Sequence, residues 1–160
     1  MKLVIMTKST FFVEEDKILT TLFDEGMDNL HLFKPGSTPL YAERLLSLIP
    51  EDYYRKITVH DHFYLKNEYD LAGIHLDSAD TEIPNNYKGK IGRTCTDIQM
   101  LKEMKKKSSC VFLKNIFDCI EFSEEKKTFT QQQLEDAADK GLIDRHVYAL
   151  GGMSLDNIRM

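Results

Sequence analysis

The stretch that decides the fold is residues 71–84, LAGIHLDSADTEIP. Its first six residues read as a short strand, with Ala72, Ile74 and Leu76 on one face and Leu71, Gly73 and His75 on the other. After Leu76 the chain turns acidic, with Asp77, Asp80 and Glu82 crowded into a loop that Pro84 closes. A buried strand running straight into carboxylates is how a parallel α/β protein presents groups at the C-terminal edge of its sheet.

Outward from this stretch the chain alternates. Toward the N-terminus, residues 2–7 are strand-like, and residues 13–25 carry Ile18, Leu19, Leu22 and Phe23 at helical spacing with Gly26 as the C-terminal cap. Residues 29–33 form the next strand. Thr38 is the expected N-cap of a second helix, with Pro39 at the first helical position, where its missing N–H costs nothing. Leu45, Leu46 and Ile49 give that helix its apolar stripe and Pro50 ends it. Residues 56–60 are a third strand and residues 63–69 a helical turn.

Toward the C-terminus, residues 90–94 read as strand five. Asp97 caps a helix that ends in Lys105, Lys106 and Lys107, charges that suit the negative end of a helix dipole. Residues 109–113 are strand six, followed by a long polar connection over 114–129. Thr130 and Gln133 fit a capping box, and Gly141 closes the helix they open. Residues 146–150 are strand seven; Gly151, Gly152 and Met153 follow, and Ser154 is expected to cap a final helix.

Strands separated by helices, recurring every roughly 20 to 25 residues, predict an α/β protein with a parallel sheet and right-handed crossovers. An open doubly wound sheet and a TIM (β/α)8 barrel share this spacing. The barrel is preferred because strands four, five and seven carry Gly or polar residues on one face, as a mixed interior requires, and because the loops after strands three to seven all hold polar groups. Residues 1–160 are expected to be one barrel domain. The seventh strand is the last, and an unclosed barrel would leave two sheet edges unpaired. The expectation is therefore a barrel that lacks its eighth strand and is C-terminally incomplete, from a protein roughly 40 to 50 residues longer.

Composition narrows the class. A chain of 160 residues, 42% apolar and without a low-complexity tract, is large enough for one sizeable core. A net charge of −5 argues against a nucleic-acid surface. The opening MKLVIMT is too poor in apolar residues for a secretory leader, and no run reaches the roughly 18 that a membrane span needs. Cys95, Cys110 and Cys119 are odd in number and lack CxxC or zinc-finger spacing, so reduced thiols in a cytoplasmic protein are expected.

Several short motifs stand in a definite order. The most specific are Gly73-Ile74-His75-Leu76 followed by Asp80, and Ala149-Leu150-Gly151-Gly152-Met153 with Asn157. Weaker ones are His31-Leu32, His60-Asp61, Gly92-x-Thr94, and Val111 with Ile116-Phe117. Together they resemble the thiamine phosphate synthase and thiazole tautomerase family of TIM barrels, essentially end to end. The resemblance implies a transferase that joins a hydroxymethylpyrimidine diphosphate to a thiazole phosphate and releases pyrophosphate. By the same resemblance, Asp61 and Asp80 match the family's Mg²⁺ carboxylates and Thr94 matches a hydroxyl that contacts pyrophosphate. Gly151 and Gly152 match the site for the thiazole's phosphate, while His31, His60 and His75 fall at substrate-binding positions. Partners are expected to be these small phosphorylated molecules, with neither nucleic acid nor membrane; a homodimer is left open.

Departures from the family pattern are equally specific. Phe33 stands where the family has an Arg, Pro35 where it has a Lys, and Phe122 close to the place of another Lys. Lys114 and Asn115 replace a Gly-Pro, and Thr96 takes the approximate place of the tautomerase His. Each lost charge-assisted contact to a transition state typically costs about 3 kcal/mol. Lys34 and Lys114 are the nearest replacement cations, with Lys126 and Lys127 close by. Two alternatives follow: a thiazole tautomerase, or a catalytically impaired barrel that binds thiamine intermediates, which Phe33 and Phe122 favour.

Plainer readings stand beside these. Asp61 and Asp80 could be solvated loop carboxylates or helix caps, His75 a hydrogen-bonded core histidine, and Gly151-Gly152 a turn. His60 and His62 form an HxH pair, half of a zinc site, whose third ligand would have to be His31 or His75 without supporting spacing.

Overall fold

Seven strands alternate with five α-helices along residues 2–159, the residues that the computed structural model describes. They divide into two compact units, Met1–His75 with Asp80–Lys90 and Leu76–Ala79 with Ile91–Met160.

The first unit runs β1 (Ile5–Met6), α1 (Glu15–Asp24), β2 (Leu30–Leu32), α2 (Pro39–Leu48), a 3₁₀ helix (Glu51–Lys56), β3 (Ile57–Val59), α3 (Leu65–Glu68) and β4 (Gly73–Leu76). Its strands pair in parallel and in chain order: Met6 lies beside His31, His31 beside Thr58, and Thr58 beside Gly73. Side chains alternate across a strand. One face therefore presents Leu30, Leu32, Ile57, Val59 and Ile74, all buried, while His31, Thr58 and Gly73 share the other. Leu19 and Phe23 of α1, and Ala42, Leu45, Leu46 and Ile49 at the end of α2, supply buried stripes at helical spacing. Gly73 is required where it stands, because a Cβ there would come within 2.7 Å of the Lys90 carbonyl oxygen.

The second unit holds nearly all of β5 (Lys90–Cys95), then α4 (Ile98–Lys106), β6 (Cys110–Lys114), α5 (Gln131–Asp139) and β7 (Val147–Leu150). Its strands are also parallel and in chain order, with Thr94 beside Phe112 and Phe112 beside Tyr148. Cys95, Leu101, Val111, Leu113 and Phe129 form its buried core, against which Ile98, Met104, Leu134 and Leu142 pack. The Asp97 side chain accepts from the Gln99 N–H at the start of α4, and the Thr130–Gln133 capping box opens α5 as expected.

Parallel strands alternating with helices define an α/β protein of the TIM-barrel type, and among the described residues the strands number seven. The expected eighth strand lies outside the described residues. Two local expectations need correction. Residues 51–56 form a 3₁₀ helix after Pro50, so the third strand begins at Ile57 and not at residue 56, and among the described residues no helix follows Ser154: residues 155–159 make turns, tied by the Ile158 N–H to the Ser154 carbonyl at 3.0 Å.

Candidate active site

In the first unit, sheet register collects the histidines. His31 is level with Thr58 and Gly73, so His60 and His75, two residues further along their strands, project from the same face one layer on. The His60 and His75 rings stack with centroids 4.4 Å apart and 20° between planes, and the His31 ring meets them edge-on at 5.0 and 5.3 Å. His31 Nδ1 lies 2.7 Å from His60 Nε2, so one hydrogen is shared between them. Phe33, where the family has Arg, turns its ring edge-on to His60 at 5.5 Å.

Burial governs the protonation of this cluster. Loss of solvent, helped by the neighbouring His60, takes His31 down to about 3, and His75 falls further for the same reasons, with His31 as an added neighbour. Both rings are neutral at physiological pH. Among the described residues, His31, His60 and His75 are the one group of three or more His, Cys, Asp or Glu side chains placed to hold a metal ion, with a nitrogen from each within 4.8 Å of the others. His62 is not part of it: its backbone turns to φ 51°, and its Nε2 lies 2.9 Å from the Ser37 carbonyl. The HxH pair is thus split, and His60 pairs with histidines from β2 and β4 instead.

Beyond β2, Lys34 is buried. Its ammonium donates to both Glu15 carboxylate oxygens, at 2.9 and 2.7 Å, and to the carbonyls of Lys8 and Thr10 at 2.8 and 2.9 Å. Its backbone N–H donates to Asp61 Oδ2 at 3.2 Å, which orients that carboxylate just past β3. Asp80 is exposed in the loop after β4, the strand paired with β3. Carboxylates are the oxygen ligands that Mg²⁺ takes, alongside water and substrate phosphates.

In the second unit, Thr94 shares a face with Phe112 and Tyr148, whose rings lie 5.9 Å apart. Lys114 ends β6, its ammonium 2.8 Å from Glu125 and about a third exposed. Gly151 and Gly152 follow β7 at φ 97° and 64°, in the left-handed region. A Cβ on Gly151 would strike the Asn115 side chain, and one on Gly152 the Asp118 carbonyl. Asn157 closes the turn, donating to the Gly152 carbonyl and accepting from the Ser154 N–H, both at 2.8 Å. Thr96 is exposed.

Three features escaped the sequence reading: Glu15 as the partner of Lys34, the packing of Asn115 against Gly151, and the convergence of the three histidines. Only the last left a usable trace: His60 and His75 hold matching places at the ends of successive strands.

Parallel strands in sequential order, alternating with helices and followed by polar groups in each unit, place the chain among the (β/α)-barrel proteins. No family model and no curated protein sequence matches it. Among solved structures it is similar to the thiamine phosphate pyrophosphorylase of Bacteroides thetaiotaomicron, with a TM-score of 0.87 and 45% identity, covering 98% of this chain and 75% of that one. The thiamine phosphate pyrophosphorylase of Pyrococcus furiosus shares the fold, at TM-score 0.71 and 18% identity over 99% of this chain and 78% of that one. The chain belongs to the thiamine phosphate pyrophosphorylase family, a family of transferases. The expected family and barrel class are thereby borne out.

Proposed function

We propose that the protein is a thiamine phosphate synthase-like transferase that joins hydroxymethylpyrimidine diphosphate to thiazole phosphate and releases pyrophosphate. The observation that carries this reading is the near end-to-end likeness to the Bacteroides enzyme. In the reaction the C–O bond to pyrophosphate breaks and its electrons leave with the pyrophosphate oxygen. Stabilising that charge is the main task of the protein.

Asp61 and Asp80 would hold Mg²⁺, which when bound offsets charge on the diphosphate. The Lys34 backbone keeps Asp61 oriented, while the Lys34 ammonium, committed to Glu15, fixes the end of β2 rather than reaching substrate. Lys114 is the better cation for the leaving group, since its partner Glu125 is itself about a third exposed and the pair can open to water. Thr94 supplies a hydroxyl for pyrophosphate. Gly151 and Gly152, held at positive φ and packed too closely against Asn115 and Asp118 to carry a side chain, would offer backbone N–H groups to the thiazole's phosphate. Cys95, Cys110 and Cys119, read as thiols, are in keeping with a reducing, cytoplasmic setting. No helix among the described residues is long and apolar enough to cross a membrane.

A second reading, binding of thiamine intermediates without turnover, is favoured by the sequestration of Lys34 beside Phe33. Pyrophosphate release from the two substrates, measured with and without Mg²⁺, separates the readings. The transferase releases pyrophosphate only with both substrates present, and Asp80→Asn should cut that rate at least about 100-fold, the scale of one lost electrostatic contact. Saturable binding without release supports the second reading, and isomerisation of the thiazole alone would point to a tautomerase. An Asp80→Asn rate equal to that of the unaltered chain would remove the metal role.

A further inference from the structure

We propose that His31, His60 and His75 form a binding site for a divalent transition metal of the Zn²⁺ or Co²⁺ kind, separate from the carboxylates assigned to Mg²⁺. The inference does not rest on the transferase reading. It starts from donor chemistry: imidazole nitrogens suit Zn²⁺, Co²⁺, Ni²⁺ and Cu²⁺, whereas Mg²⁺ takes oxygen ligands. Three imidazoles leave a fourth position for water or an anionic oxygen, as in catalytic zinc sites.

The distances are close to what such an ion needs. Tetrahedral Zn²⁺ at about 2.0–2.1 Å from each nitrogen spaces its ligands about 3.3 Å apart. The His31 Nδ1–His60 Nε2 pair, at 2.7 Å, must open slightly, and the widest pair, no more than 4.8 Å, must close. The His60 and His75 rings, stacked 4.4 Å apart, must also turn about their side-chain torsions until both ring planes meet at the ion, while the pairing of β2, β3 and β4 keeps the ring bases in place.

Proton accounting is also favourable. The hydrogen now shared by His31 and His60 moves to the outer nitrogen of the ring that carries it. Each ring can then turn one nitrogen lone pair toward the ion. All three rings are buried, His31 and His60 at 6% and 4% exposure and His75 at 0%, so uptake of the ion requires the side chains that cover them to move. The competing account is a hydrogen-bonded histidine core that binds no metal.

Chelator-treated full chain, titrated with Co²⁺ at neutral pH, tests the proposal through visible absorption. The expected result is saturation at one Co²⁺ per chain, displaced by Zn²⁺. His60→Gln should weaken binding by more than about 100-fold, since loss of even a supporting contact around a metal costs about 10- to 100-fold. His62→Gln and Asp61→Asn should leave the affinity unchanged. Because His60→Gln sits in the core, a second measurement uses the unaltered, ¹⁵N-labelled chain. Zn²⁺ should shift the imidazole resonances of His31, His60 and His75 and spare His62 and His146, the remaining two of five histidines. Absence of saturable Co²⁺ absorption, retention of affinity by a folded His60→Gln chain, or a response confined to His62 or His146 would overturn it.

Discussion

The first unit encloses more whole polar side chains than the second. Thr7, Glu15, His31, Lys34, His60 and His75 are all buried in the first, whereas among the described residues Asn115 is the second unit's one buried polar side chain. The ion pairs make the contrast sharpest. Lys34–Glu15 is 2% and 4% exposed; Lys105–Asp144 is 19% and 39% exposed. Charges of the same kind therefore carry different energies, because a desolvated ion depends on its partner and a hydrated one does not. The faces opposite the apolar ones differ in the same sense. The first unit offers imidazoles that can bind, and the second offers Thr94, Phe112 and Tyr148, which shape space more than they carry charge.

The largest expected effect tests the buried pair. Glu15→Gln leaves the Lys34 ammonium enclosed without its counter-charge and should cost about 3–5 kcal/mol, read from the urea midpoint. The pair itself need not be net stabilising. Glu15→Leu with Lys34→Met should recover most of the loss, because Lys8 and Thr10, whose carbonyls also bind the ammonium, are exposed and can bond water instead. A Glu15→Gln loss below about 1 kcal/mol would put this pair in the class of surface pairs and dissolve the contrast between the units.

The second unit is the one whose construction could be read from local sequence. Thr130 and Gln133 fix the start of α5 by exchanging hydrogen bonds three residues apart, and Asp97 does similar work for α4. Such caps depend on neighbours in the chain, so sequence displays them. Thr130→Ala should accordingly cost about 1 kcal/mol in thermal or urea unfolding, a middling effect that extends to no other element. The first unit's site was less legible. Lys34 read as a replacement cation for the substrate, because Glu15 lies 19 residues away and only the folded chain brings them together. The histidine cluster needed the register of β2 against β3 and β4, which periodicity does not supply. The 3₁₀ helix at Glu51–Lys56 has no buried residue, so no apolar period announced it. The expected final helix had an N-cap candidate in Ser154, but the Ser154 N–H bonds Asn157 instead, and only turns follow.

The smallest effect sharpens the exposed side of the comparison. The Asp144 carboxyl is held below the usual carboxylate range, chiefly by the Lys105 ammonium and then by the His146 backbone N–H. A carboxyl with a depressed folded value stabilises the native state above its unfolded value of about 3.9 and loses that contribution as pH falls through the folded one. Exposure of both partners limits the contribution to about 1 kcal/mol at most. Asp144→Asn should thus lower stability slightly at pH 7, and the gap from the unaltered chain should narrow as pH falls below about 4. Salt should narrow it too, since an exposed pair is screened. Lys105 also donates to the Leu142 carbonyl at 3.0 Å, a bond that survives protonation of Asp144. A gap that stayed constant from pH 7 to pH 3 would therefore assign the effect to packing around that carbonyl and not to charge.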